Sequence, residues 1–108
     1  KTALVVADVI GIDSEMSAKV RQKSILPDQA ITITATHTHG GPTSMKDRLN
    51  SKVNLKFYSK LEKALTDSIK IAYENRTYVK LYGGLGIEPG VAKNRRKTGG
   101  LIDKGIPV

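Results

Sequence analysis

Ala30-Ile31-Thr32-Ile33-Thr34-Ala35-Thr36-His37-Thr38-His39-Gly40-Gly41-Pro42-Thr43-Ser44 is the stretch on which the fold turns. Its first seven residues are apolar and β-branched, which predicts a strand over 30–36. Gly40-Gly41-Pro42 must then turn the chain. His37 and His39 are the only histidines among 108 residues, and they stand where that strand ends. Open α/β sheets present their chemistry just past the carboxyl ends of their strands, so this turn is the candidate site.

Working outward, Leu4 to Ile10 is an apolar run broken by Asp8, and it reads as a buried strand. A carboxylate inside such a run needs a partner, because its desolvation is costly. Two readings of Asp8 stay open: a strand-end aspartate bonded to backbone, or support for the histidine loop. Gly11-Ile12-Asp13-Ser14 punctuates the chain, and Asp13 or Ser14 can cap a helix over 15–25. Met16, Val20 and Ile25 lie on its apolar side, and Pro27 ends it. Strand, helix, strand is the pattern of a right-handed parallel crossover.

Downstream, 43–50 is a polar loop that can begin a helix. From 51 to about 75 the period is helical, with Val53, Phe57, Leu61, Ala64, Ala72 and Leu65, Ile69, Tyr73 on one wide apolar face. Lys52, Lys56, Lys60, Lys63 and Lys70 fall mostly on the other side and read as a solvated face. Asn75-Arg76 closes this helix. A strand over 77–81 follows, with Gly83, Gly84 and Gly86 at its far end for a bulge or a close approach. Those glycines lack a phosphate-loop fingerprint. Residues 91–100 form a basic loop, and 103–108 a turn into another strand. The fold class is therefore mixed α/β: a partly parallel sheet with covering helices, in an incomplete domain. Both ends read as cut, so 1–108 is expected to be a fragment of a catalytic domain.

Composition removes several classes. Without cysteine there are no disulfides, thiolate ligands or cysteine nucleophiles. No stretch has the apolar length of a membrane span, and no signal-peptide pattern is present. The net charge of +8 either favours an anionic surface, nucleic acid or a negatively charged substrate, or is balanced by an acidic remainder of the parent chain. One Phe and four Tyr give no RNA-binding aromatic pattern.

Neutral imidazole is a good zinc ligand. In an extended segment His37 and His39 point the same way and can reach one ion. If the strand bends at Thr38 they diverge, and one can ligate while the other handles a proton. A catalytic zinc needs three protein ligands, and Asp8, Asp13, Asp47 and Glu88 are the candidate oxygen donors, none fixed by spacing. The expectation is a metal-dependent hydrolytic half-site in which bound water attacks a polarised carbonyl. Arg95 or Arg96 can steady the negative oxygen that results. A metallo-β-lactamase would continue His-x-His-x-Asp-His, which Gly40-Gly41-Pro42 does not. An amidohydrolase barrel opens with His-x-His after its first strand, and here a strand and helix come earlier.

In order along the chain, these pieces resemble the neutral/alkaline, non-lysosomal ceramidases and their smaller bacterial relatives. Val5-Val6-Ala7-Asp8-Val9-Ile10-Gly11 resembles the strand and Asp-x-x-Gly turn before that family's first helix. Thr36-His37-Thr38-His39-Gly40-Gly41-Pro42 resembles its Thr-His-Thr-His-Ser-Gly-Pro signature, and Asn94-Arg95-Arg96 its Asn-Arg-Ser segment. The resemblance implies a zinc amidase that cleaves ceramide, or another N-acyl amide, to an amine and a fatty acid. It implies His37 as a Zn2+ ligand and His39 beside the metal, bonding its water or the substrate oxygen. Arg95 would contact the substrate carbonyl or its tetrahedral intermediate, with Asn94 and Gly41 in the same substrate-binding set. A later histidine, glutamate and tyrosine in the rest of the parent chain would complete the zinc site, in a secreted or periplasmic protein. Gly40 replaces the usual Ser and leaves the turn intact. Arg96 adds positive charge, which favours a substrate unlike neutral ceramide. Two further readings are a basic nucleic-acid or anion-binding module built on Arg95-Arg96-Lys97, and a noncatalytic ceramidase-like scaffold. The spread of the lysines along a helix disfavours nucleic acid.

Overall fold

A computed structural model describes residues 1–46, 52–88 and 90–108. The chain divides into two units, Lys1–Arg76 and Thr77–Val108. In the first, strand β1 (Ala3–Ala7) pairs in parallel with β2 (Ile31–Ala35), in the register Ala3↔Ile31 to Ala7↔Ala35. Helix α1 (Ser14–Gln22) connects them, with a 3-10 turn at Asp28–Ala30 just before β2. Helix α2 (Leu55–Glu74) follows. The second unit holds β3 (Leu85–Ile87) and β4 (Gly105–Pro107), paired antiparallel. The fold is thus a small mixed α/β arrangement, as the alternation of strand and helix patterns predicts.

Local chemistry explains both helix starts. Asp13 caps α1, its Oδ1 accepting from the Met16 amide at 2.7 Å. Asn54 caps α2, its Oδ1 accepting from the Phe57 amide at 3.1 Å. Each satisfies an amide that the first turn leaves without a helical partner. At the far end of α2, Asn75 sends both its backbone N–H and its side-chain Nδ2 to the Ile71 carbonyl. Helix α1 stops at Gln22, earlier than the expected 25, and Ile25 lies 51% exposed beyond it. The expected helix start within 43–50 falls partly on residues outside those described.

The core gathers Val5, Ala7 and Val9, Met16 and Val20 from α1, Ile31 from β2, and Tyr58, Leu65 and Ile69 from α2. Met16 and Val20 are fully buried, and such burial stabilises by roughly 1.5–3 kcal/mol per side chain. Phe57, Leu61 and Val53 pack partly against this core, while Ala64 and Ala72 stay exposed. Reading Leu4 to Ile10 as buried throughout is corrected: Leu4 and Val6 are 71% and 59% exposed. A strand turns alternate side chains to opposite faces, and the core takes up only the Val5–Ala7 side.

The expected strand over 77–81 is also corrected. Those residues form no strand, and Tyr78, Val79 and Leu81 are exposed. Alternation alone makes no strand without a ladder partner. The strand forms later, on the glycine-bearing stretch itself, where β4 supplies the partner. Gly84 and Val108 extend the ladder by exchanging backbone bonds of 2.8 and 3.0 Å.

Candidate functional site

The histidine turn lies at the carboxyl end of the β1–β2 pair, in the first unit. Past the paired residues, the Thr36 amide donates to the Ala7 carbonyl at 3.0 Å and the His37 amide to the Val9 carbonyl at 3.1 Å. The Thr36 hydroxyl donates to Asp8 Oδ1 at 2.6 Å. Asp8 is therefore exposed rather than buried, and it braces the residue before His37. Its partner is a side chain rather than the backbone.

Three contacts then lay the turn along the β1–α1 loop. His37 Nδ1 bonds the Ile10 carbonyl at 2.7 Å, the buried Ser44 hydroxyl donates to the Gly11 carbonyl at 2.6 Å, and the Lys46 amide donates to Asp13 Oδ2 at 2.9 Å. Beneath them the buried Tyr58 hydroxyl donates to Asp13 Oδ1 at 2.7 Å. Burial pushes the Asp13 carboxyl up, but the Lys46 and Met16 amides, the Tyr58 hydroxyl and the Lys46 charge outweigh it, so the group sits below its ordinary value. Burial and the neighbouring Asp13 carboxylate push the Tyr58 phenol up. Asp13 is thus a structural hub joining α1, α2 and the histidine turn. Sequence reading gave Asp13 only a capping or ligand role and missed Tyr58. The one signal for Tyr58 was a tyrosine inside the apolar half of α2.

The bend begins earlier than glycine placement suggests. His37 itself has φ 66°, in the left-handed region, which costs a side-chain-bearing residue energy and recurs at functional positions. Gly40 and Gly41 do not have positive φ. A Cβ on Gly40 would lie 3.7 Å from Thr38 Oγ1, an ordinary contact. Neither of the two alternatives for the imidazoles holds in full: the segment is not extended at His37, yet the rings meet edge to face, with centroids 5.1 Å apart and planes at 80°. Both residues are exposed.

Because a carbonyl only accepts, the Ile10 contact fixes the hydrogen of the neutral His37 ring on Nδ1. Nε2 of that neutral ring then carries no hydrogen and can only accept.

The expectation of Zn2+ is overturned. Among the described residues, no three His, Asp or Glu side chains come together to hold a metal ion. Of the expected oxygen donors, Asp8 binds Thr36, Asp13 binds Met16, Lys46 and Tyr58, and Glu88 Oε1 accepts from the Gly90 amide in the second unit. Asp47 lies outside the described residues. A catalytic zinc needs three ligands, and His37 with His39 supplies two. The described residues therefore contradict a zinc-dependent amide hydrolase, with its hydrolytic and sphingolipid-metabolism roles.

Asn94 and Arg95 belong to the second unit. Asn94 Oδ1 accepts from the Arg96 and Lys97 amides, both at 3.0 Å, and Nδ2 donates to the Leu101 carbonyl at 3.1 Å. Its side chain shapes the basic loop, a use that asparagine often has in turns. Arg95, Arg96 and Lys97 are exposed on that loop. On α2, Lys63 pairs with Asp67 at 2.5 Å and Lys70 lies 3.9 Å from Glu74, while Lys56 and Lys60 are exposed. This is the solvated face expected of those lysines. No helix among the described residues is long and apolar enough to cross a membrane.

Comparison with protein-family models, with curated proteins and with solved structures finds no match.

Proposed function

We propose that this chain is a noncatalytic, ceramidase-like α/β scaffold whose histidine turn binds the polar group of an N-acyl amide without a metal. The carrying observation is the 2.7 Å contact between His37 Nδ1 and the Ile10 carbonyl. It takes up the neutral ring's one hydrogen and leaves Nε2 as an acceptor. The natural complement is a donor, such as the N–H of an amide or an adjacent hydroxyl. His39 lies edge-on beside that ring and offers a second polar contact, with the Thr38 hydroxyl between them in sequence. The likeness of Thr36-His37-Thr38-His39-Gly40-Gly41-Pro42 to the ceramidase signature supports the choice of an N-acyl amide, and Asp8 and Ser44 keep the turn in place.

Calorimetric titration of the whole chain with N-hexanoyl ethanolamine, in the presence of a chelator, tests this reading. Binding that survives chelation and falls at least tenfold in His37→Ala supports it. Binding that needs added zinc, is unchanged in His37→Ala, or is absent overturns it.

A further inference from the structure

The other end of β1 lies away from the histidine turn. There a cavity of about 330 Å³ opens between the first residues of β1 and the last turns of α2. Its walls are apolar: Leu26, Ile69 and Ala72, with Ala3 to Val5 alongside. Its rim is cationic. Lys1 Nζ lies 3.3 Å from the Tyr73 hydroxyl and 5.1 Å from the centre of its ring, and the Arg76 guanidinium lies 4.0 Å from the same ring centre. No carboxylate is among the described residues lining the cavity. The field of the two cations also registers on Tyr73, whose phenol is held below its ordinary value by Lys1 first and Arg76 after it.

We infer that this cavity is a binding site for a small monocarboxylate with an apolar body about the size of one aromatic ring. An apolar cavity of ~150 Å³ accepts benzene, and ligand sites begin near 300 Å³, so the volume suits one ring and a short linker. Lys1 and Arg76 stand where the carboxylate would emerge. Arg76 Nη1 already donates to the Tyr73 carbonyl, and the Nε and Nη2 side of the guanidinium keeps two parallel donors for such a group. Tyr73 holds both cations at the rim by its ring face and its hydroxyl, so they are gathered before a ligand arrives. The site is independent of the histidine turn, and its ligand is an anion rather than an amide.

The test uses the whole chain and three probes: 3-phenylpropionate, its neutral amide and inorganic phosphate. Binding is followed by calorimetry and by the tyrosine absorbance of Tyr73. The carboxylate should bind at least tenfold more tightly than either other probe. Arg76→Gln, at an exposed position, should lose that preference at least tenfold with the thermal midpoint unchanged. Ala72→Phe, which fills the cavity from an exposed position, should abolish carboxylate binding. Equal binding of acid and amide, phosphate binding as tight as the carboxylate, indifference to either substitution, or no binding of the carboxylate overturns the inference.

Discussion

The Tyr58 hydroxyl donates to Asp13 Oδ1 at 2.7 Å, joining residues 45 positions apart in the chain. Asp13 also caps α1 and receives the Lys46 amide. One carboxylate therefore fixes the start of one helix, the face of another and the end of the histidine turn. Tyr58→Phe removes one of these bonds while keeping the ring, and should cost about 1–3 kcal/mol. Urea unfolding measures that loss. A double-mutant cycle with Asp13→Asn should return a coupling above about 0.5 kcal/mol, as bonded neighbours do.

Acid should weaken the fold through the same residue. The Asp13 carboxyl sits below its ordinary value of 3.8 in the folded chain. A lowered folded-state value means that the unfolded chain binds the proton more readily. The resulting stability is therefore complete above the ordinary value and is lost as pH falls through the folded one. Unfolding curves from about pH 5 down to about pH 2 should slope less steeply with pH in Asp13→Asn than in the parent chain.

At position 37, the backbone rather than the side chain sets the tolerance. With φ 66°, His37→Val should destabilise by about 1–2 kcal/mol more than His37→Gly, because a left-handed conformation penalises a Cβ, and a β-branched one most. Both lose the bond to the Ile10 carbonyl, so denaturation midpoints of the pair isolate the backbone effect.

Gly40→Ser should be neutral within about 0.5 kcal/mol. The position has no positive φ, and a Cβ there meets only Thr38 Oγ1 at 3.7 Å. Thermal melts of the variant check this.

The first unit was largely legible in its sequence because its signals are local. The β-branched run before His37, the aspartate before α1 and the three-and-four spacing of α2 each name an element, and their order names the parallel pair. Which face of β1 is buried was not legible, since both of its faces are apolar and only the packing of the helices decides. In the second unit, 77–81 alternates well but has no ladder partner among the described residues, whereas Leu85–Ile87 gains one from a segment almost twenty residues on. At the site, the two histidines stood out by their rarity and position. The metal expectation failed because side-chain convergence depends on what the carboxylates bind: Asp8 accepts from Thr36, Asp13 from Met16, Lys46 and Tyr58, and Glu88 from the Gly90 amide. The left-handed turn at His37 carries no sequence mark, as the obvious candidates for such a backbone were the glycines after it.

The most direct measurement is the tautomer and ligand response of the His37 ring, by nitrogen-15 NMR of the whole chain with the imidazole neutral and a chelator present. We expect the ring hydrogen on Nδ1, and an Nε2 resonance that shifts as N-hexanoyl ethanolamine is added. A hydrogen found on Nε2, or an Nε2 resonance unmoved by saturating amide, would contradict a metal-free acceptor site at this turn.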